Sequence, residues 1–140
     1  MTVGEVLEEL RPHALVFDAS GVSSPADLKA LYDFFHGWLR TLQPSGRIVV
    51  LGRVIADLEN AEEQAAQVAL DGFIRSLAKE VGKKGVTAQS IRVGDGAEDS
   101  LAAPLRFLLS DRSTFVTGQV MGVTKPPVGA TSFQWTRPLD

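Results

Sequence analysis

Apolar positions along this chain fall into two kinds of run that alternate, one short and continuous, the other long and striped. The continuous kind appears first at Ala14-Leu15-Val16-Phe17-Asp18-Ala19, then at Arg47-Ile48-Val49-Val50-Leu51-Gly52, and again from Val86 to Val93. Runs of that length, apolar through the centre, predict strands buried on both faces, as in a parallel sheet. A fourth strand is predicted from Thr114 to Val123, interrupted by Gly118.

The striped kind lies between them. Ser24-Pro25-Ala26-Asp27 opens a helix with Ser at the N-cap, Pro at the first helical position and an acid in the first turn. Leu28, Leu31, Phe35, Leu39 and Leu42 carry its apolar stripe to about Leu42. Tyr32, Phe34 and Trp38 widen that stripe, towards either a second contact or a broad core face. The longest helix is predicted from about Glu59 to Val81, ended by Gly82 or Gly85. Its bulky face is Val68, Leu70, Phe73, Ile74, Leu77 and Val81. A smooth strip of Ala65, Ala69, Gly72 and Ser76 runs beside it, and such a strip lets a neighbouring backbone come close. Gly72 costs ~1 kcal/mol against Ala inside a helix, which close packing would offset.

Shorter helices are predicted from Val3 to Leu10, ended by Arg11-Pro12, and from Leu101 to Leu109, where Pro104 should delay the start or kink the axis. Strands alternating with helices argue for an α/β parallel sheet of about four strands with helices on both sides. The domain is expected over residues 1–124, followed by a linker and surface tail at 125–140. Leu15-Val16-Phe17 has the composition of a central strand with nothing upstream to cover its edge. It is therefore expected to pair with a segment outside this sequence or with a second subunit.

Composition narrows the function. The 140 residues carry a net charge of −3, which gives no electrostatic reason to expect nucleic acid or an anionic membrane as partner. No cysteine is present, which excludes disulfides, thiolate catalysis and Cys-ligated zinc, and fits a cytoplasmic protein. No apolar run approaches the ~20 residues of a membrane span. His13 and His36 lie far apart without metal-ligand spacing. Asp18, Ser20 and Ser24 follow the first strand, where open parallel sheets bind ligands; they either line a small polar pocket or serve the turn and cap. Glu62 and Glu63 are adjacent on a helix and face different ways, so they do not make an acid/base pair.

Four blocks resemble the short-chain dehydrogenase/reductase family, and within it the 3-oxoacyl-[acyl-carrier-protein] reductases. They are Leu15-Val16-Phe17-Asp18-Ala19-Ser20-Gly21-Val22, Gly46 to Arg53, Gly72 to Glu80 followed by Gly85-Val86-Thr87-Ala88-Gln89, and Phe115-Val116-Thr117-Gly118-Gln119-Val120. The resemblance implies a three-layer Rossmann-like (flavodoxin-like) fold, here partial. It also places the family's catalytic Ser at Arg53 and its Tyr and Lys at Glu63 and Gln67. The segment that would carry the catalytic Asn is shortened, and no T-G-x-x-x-G-x-G turn precedes Leu15 to cradle a dinucleotide. No catalytic, cofactor-binding or metal residue is therefore expected in this chain, which is predicted inactive by itself.

A narrower resemblance is to the degenerate N-terminal domain of long, two-domain 3-oxoacyl-carrier reductases, carried by Val16 to Val22, the compact Leu28–Leu42 helix and the closing Trp135-Thr136-Arg137-Pro138-Leu139. It implies a parent that uses NADPH or NADH, with a catalytic domain after Asp140 as one partner. It further implies a homodimer or homo-oligomer through the two long helices, with Phe34, Trp38, Ala65, Ala69, Gly72 and Ser76 as candidate interface residues. The alternative is a divergent domain that still holds a nucleotide or acyl group at the strand ends.

Overall fold

The computed structural model describes residues 11–125. The expected Val3–Leu10 helix and the tail beyond Lys125 lie outside them. Four strands, β1 (Ala14–Asp18), β2 (Arg47–Arg53), β3 (Thr87–Val93) and β4 (Val120–Val123), form one sheet in that order. All three pairings are parallel, with Leu15 opposite Ile48, Ile48 opposite Ala88, and Ile91 opposite Met121. Three helices connect them: α1 (Leu28–Trp38), α2 (Ala61–Val81) and α3 (Ala102–Leu109).

Because strand side chains alternate between faces, the sheet builds two separate cores. Leu15, Ile48, Val50 and Ala88 meet Leu31 and Phe35 of α1 and Leu70, Ile74 and Leu77 of α2. Val49, Ile91 and Val123 point the other way, onto Leu108 of α3 and Ala97. The result is the expected three layers, a parallel sheet between helices.

The edge strand differs from expectation. Only Leu15 of β1 is buried, while Val16 is 39% exposed and Asp18 lies open. Among the described residues no helix lies over Val16, because α3 packs against β2. Among the described residues, no strand pairs with the free edge of β1.

Local chemistry sets the helix limits. A single 3₁₀ turn (Pro25–Asp27) precedes α1, and the Ser24 side chain makes no capping bond. Asp27 instead ties the chain ahead of the turn to it, accepting from the Ser23 backbone N–H and hydroxyl at 3.0 and 3.1 Å. These donors hold its carboxyl below the usual range. For α2 the cap is Asn60, whose Oδ1 accepts from the N–H groups of Glu62 and Glu63 at 2.7 and 3.4 Å. The chain leaves that helix through a 3₁₀ turn, and of the two candidate glycines Gly85 takes the left-handed conformation (φ 71°). Pro104 sits in the first turn of α3, where a missing N–H costs no helical bond.

The fourth strand is four residues long rather than ten. Ahead of it the chain forms a 3₁₀ turn at Asp111–Ser113 and then runs irregularly beside β3. Side chains fix that irregular stretch: Gln89 donates to the Val116 carbonyl and accepts from the Gln119 N–H, and Thr117 Oγ1 accepts from the Ala88 N–H. Phe115 is left 98% exposed, which the strand reading did not foresee. At the opposite, N-terminal end of β2, the Arg47 side chain is buried. It donates to the carbonyls of Ser45, Gly46 and Ser110 and to Thr114 Oγ1 at 3.0–3.2 Å. Ser110 terminates α3, so part of this support is the negative end of a helix.

Candidate functional site

The strand C-terminal ends open into a cleft of about 440 Å³, lined by Asp18, Ser20, Gly52, Arg53, Asp95 and Glu98 among others. This is where a parallel sheet places a ligand, because the loops diverge there. Asp18 and Ser20 reach it as the sequence suggested, whereas Ser24 is not among the lining residues. Asp18 Oδ1 accepts from the Ser20 N–H at 3.0 Å, so its first role is to close the turn after β1.

Arg53 lines the cleft and Gln67 does not, yet the two are brought together behind it, although fourteen positions separate them in sequence. Gln67, 1% exposed on α2, donates through Nε2 to the carbonyls of Ala19 and Val22 at 2.9 and 2.8 Å. Its Oε1 accepts from the Arg53 N–H at 2.9 Å. One amide thus ties the exit of β1 and the end of β2 to the same helix. Gly52 is required beneath it: a Cβ there would lie 2.9 Å from Oε1 of Gln67 and 3.2 Å from a Leu70 methyl. The Arg53 side chain turns to Asp95, Nη2 to Oδ1 at 3.0 Å, and the Asp95 N–H donates to Asp57 at 2.8 Å. Glu63 lies one turn before Gln67, half-buried.

A second polar pair is buried on the helical side. Arg92 of β3 and Asp71 of α2 form an ion pair in which each side chain is about four-fifths buried. Its neighbours across the sheet are Gly52 and Gly122, whose lack of side chains leaves room for the guanidinium. Sequence patterning missed this pair, because Asp71 and Arg92 lie on different elements and neither breaks a periodicity.

The other candidate residues divide between core and surface. Phe34 packs on Phe17 and Phe35, ring centroids 5.1 and 5.0 Å away, and Trp38 is half-buried against the same core. Tyr32 faces outward, stacked on His36. Ala65, Ala69, Gly72 and Ser76 are all exposed, and a Cβ on Gly72 would meet nothing within 4 Å. Val68, expected against the sheet, joins this strip at 49% exposure; Ala66, Gln67 and Ala78 take the inward positions instead. Among the described residues, no three His, Cys, Asp or Glu side chains group to hold a metal, and no helix is long and apolar enough to cross a membrane.

With 20% sequence identity, the fold superposes on a blue fluorescent protein from a metagenomic library in complex with NADPH at a TM-score of 0.69. The match covers 87% of this chain and 69% of that one. An NADPH-bound short chain oxidoreductase from Pseudomonas aeruginosa PAO1 with an atypical catalytic center superposes at 0.67 with 20% identity, over 92% and 72% of the two chains. The fold is also like that of an oxidoreductase of the short-chain dehydrogenase/reductase family from Burkholderia thailandensis, at a TM-score of 0.69 with 21% identity over 87% and 66% of the two chains.

In sequence the chain is similar to 3-oxoacyl-[acyl-carrier-protein] reductase FabG. It is 27% identical over 107 residues to the Salmonella typhimurium LT2 protein, covering 56% of this chain and 44% of that one. With the Pseudomonas aeruginosa PAO1 protein it is 27% identical over 128 residues, 69% and 52% of the two. The chain spans about half the length of the curated relatives it matches. Since 56% of 140 residues is about 78, roughly 29 positions of the 107-residue match have no counterpart here. No family model matches the chain.

The strand-end cleft is a poor match for the NADPH held in two of the superposed structures, because its lining sets three carboxylates, Asp18, Asp95 and Glu98, against one cation, Arg53. Gln67 has both amide hydrogens committed to backbone carbonyls, and the guanidinium of Arg53 is engaged by Asp95. Arg53 keeps guanidinium N–H groups beyond the one given to Asp95, and it is the one cation in the cleft lining.

Proposed function

We propose that this chain is a non-catalytic scaffold and oligomerisation domain of a 3-oxoacyl-[acyl-carrier-protein] reductase-type oxidoreductase. The parent protein would reduce a ketoacyl group with NADPH or NADH through a catalytic domain beyond this sequence. One observation carries the reading: the residue matching the family's catalytic Lys, Gln67, is sealed in the core and bonded only to backbone. With Arg53 and Glu63 at the other matching positions, the proton donor and carbonyl polariser that hydride transfer requires are replaced.

What the chain offers is a sheet with an open helical surface. Among the described residues, the strip of Ala65, Val68, Ala69, Gly72 and Ser76 on α2 is exposed, and Gly72 gains no packing for its helical cost. In the family it resembles, the two corresponding helices commonly meet across a subunit boundary. A two-fold contact would lay this strip against its own copy. Phe34 and Trp38, on α1, are half-buried residues packed against the core.

Analytical ultracentrifugation of the wild type beside Ala69→Glu and Gly72→Glu tests the reading. The wild type is expected to sediment as a dimer or larger, and the two variants as folded monomers. A wild type that remains monomeric across micromolar concentrations would refute it. The alternative, a weak nucleotide or acyl site, draws its support from the strand-end cleft alone.

A further inference from the structure

The exposed face of α2 is polarised in charge along its length. Its first half presents Ala61, Ala65 and Ala69, with Glu62 and, just ahead of the helix, Glu59 as exposed carboxylates. Its second half presents Arg75, Lys79 and Glu80, and Lys83 and Lys84 follow in the 3₁₀ turn that closes it. Among the described residues, none of these charged side chains makes an ion pair within the chain. Arg75, Lys79 and Lys83 stand at intervals of four, a spacing at which like charges repel one another on a helix. The helix dipole favours cations in the last turn only, so it offsets Lys79 and Lys83 but not Arg75.

The two halves mirror each other about Gly72. Ala69, Ala65 and Ala61 lie three, seven and eleven residues before it, and Arg75, Lys79 and Lys83 three, seven and eleven after it. Two copies of α2 laid antiparallel on a two-fold axis at Gly72 therefore bring each cation level with an alanine of the other copy. An alanine leaves room for the apolar stem of a long side chain, whose charged head extends beyond it. At about 1.5 Å of rise per residue, Lys79 and Lys83 lie roughly 11 and 17 Å from that axis, and Glu62 of the other copy falls between them at roughly 15 Å. On the axis itself glycine meets glycine, with open space where each Cβ would stand. A parallel pairing would set cations against cations. We propose that α2 pairs with the α2 of a second copy of this chain in the antiparallel register centred on Gly72, the acidic start of each helix held against the basic end of the other. This rests on the oligomerisation reading above and adds to it the register and its charge contacts. Complementary charge of this kind fixes orientation and is weakened by salt.

Sedimentation of the wild type in about 0.05 and 0.5 M NaCl, beside the double variants Glu59→Lys, Glu62→Lys and Lys79→Glu, Lys83→Glu, tests the register. The wild-type dimer is expected to dissociate at least about tenfold more readily in the higher salt. Each double variant alone sets like charge against like and is expected to associate at least about tenfold more weakly than the wild type. An equimolar mixture of the two variants restores opposite charge at both ends and is expected to recover a mixed dimer, identified by its mass. Circular dichroism and urea midpoints establish that the variants are folded, and the salt dependence of the wild type decides the matter should either fail to fold. A wild-type dimer that is indifferent to salt or strengthened by it overturns the register while leaving the scaffold reading standing, and so do folded variants that stay apart when mixed. A wild type that remains monomeric overturns both.

Discussion

Replacing Gln67 by Met removes the amide while keeping an unbranched side chain of similar length on α2. The lost bonds are two donated to the Ala19 and Val22 carbonyls and one accepted from the Arg53 N–H. The Ala19 carbonyl keeps a second partner, the Val22 N–H at 3.1 Å. The Val22 carbonyl and the Arg53 N–H lose the bond that Gln67 provides. An orphaned backbone group in such a setting costs ~1–3 kcal/mol, and two give a loss of about 2–5 kcal/mol, eased slightly by burying a thioether instead of an amide. With a urea slope of ~1–3 kcal/mol/M for a small domain, the unfolding midpoint should fall by roughly 1–2 M. Urea denaturation followed by circular dichroism reads this directly, with Gln67→Glu as a companion variant. The carboxylate keeps the acceptor for Arg53 but sets negative charge against two carbonyls, so Gln67→Glu should be at least as destabilised at neutral pH. A midpoint shift below about 0.3 M for Gln67→Met, at an unchanged slope, would mean that water replaces the amide bonds and that Gln67 is no staple.

Two further outcomes follow from the same helix. Breaking the Asp71–Arg92 pair on one side, with Asp71→Asn or Arg92→Met, should cost about 3–5 kcal/mol by leaving a charge buried alone. The double variant should lose less than the sum of the two, and additive losses in urea unfolding would show that the charges do not couple. Gly72→Ala should stabilise the monomeric fold by up to ~1 kcal/mol, because its Cβ would stand in open space. The same change should weaken self-association if a partner backbone lies against Gly72. A variant that neither gains thermal stability nor alters sedimentation would contradict both halves.

Much of the architecture follows from one-dimensional pattern. Three continuous apolar runs became three adjacent parallel strands, and the long striped segment became α2 within two residues of its expected start. These are local signals, in which periodicity and turn chemistry act on neighbouring residues. Pattern failed where long-range partners decide. Phe115-Val116-Thr117 reads as strand by composition, yet Gln89 and Ala88 of β3 hold the stretch outside the ladder through side-chain bonds. Val16 reads as buried, but burial needs a helix over that face, and α3 sits over β2.

The residues that the resemblance aligns with catalytic positions divide in the same way. By resemblance, the sequence led to the expectation that Arg53, Glu63 and Gln67 stand where the family keeps its Ser, Tyr and Lys, an expectation that needs residue identity alone. It also determined an α/β order of elements, through apolar periodicity. Only the tertiary structure decided that Gln67 is a three-bonded core residue rather than a vacant relic, because its partners at Ala19, Val22 and Arg53 come from two other elements. The same holds for the smooth strip on α2. Its spacing is written in the sequence, but its outward direction depends on which face of the helix the sheet buries.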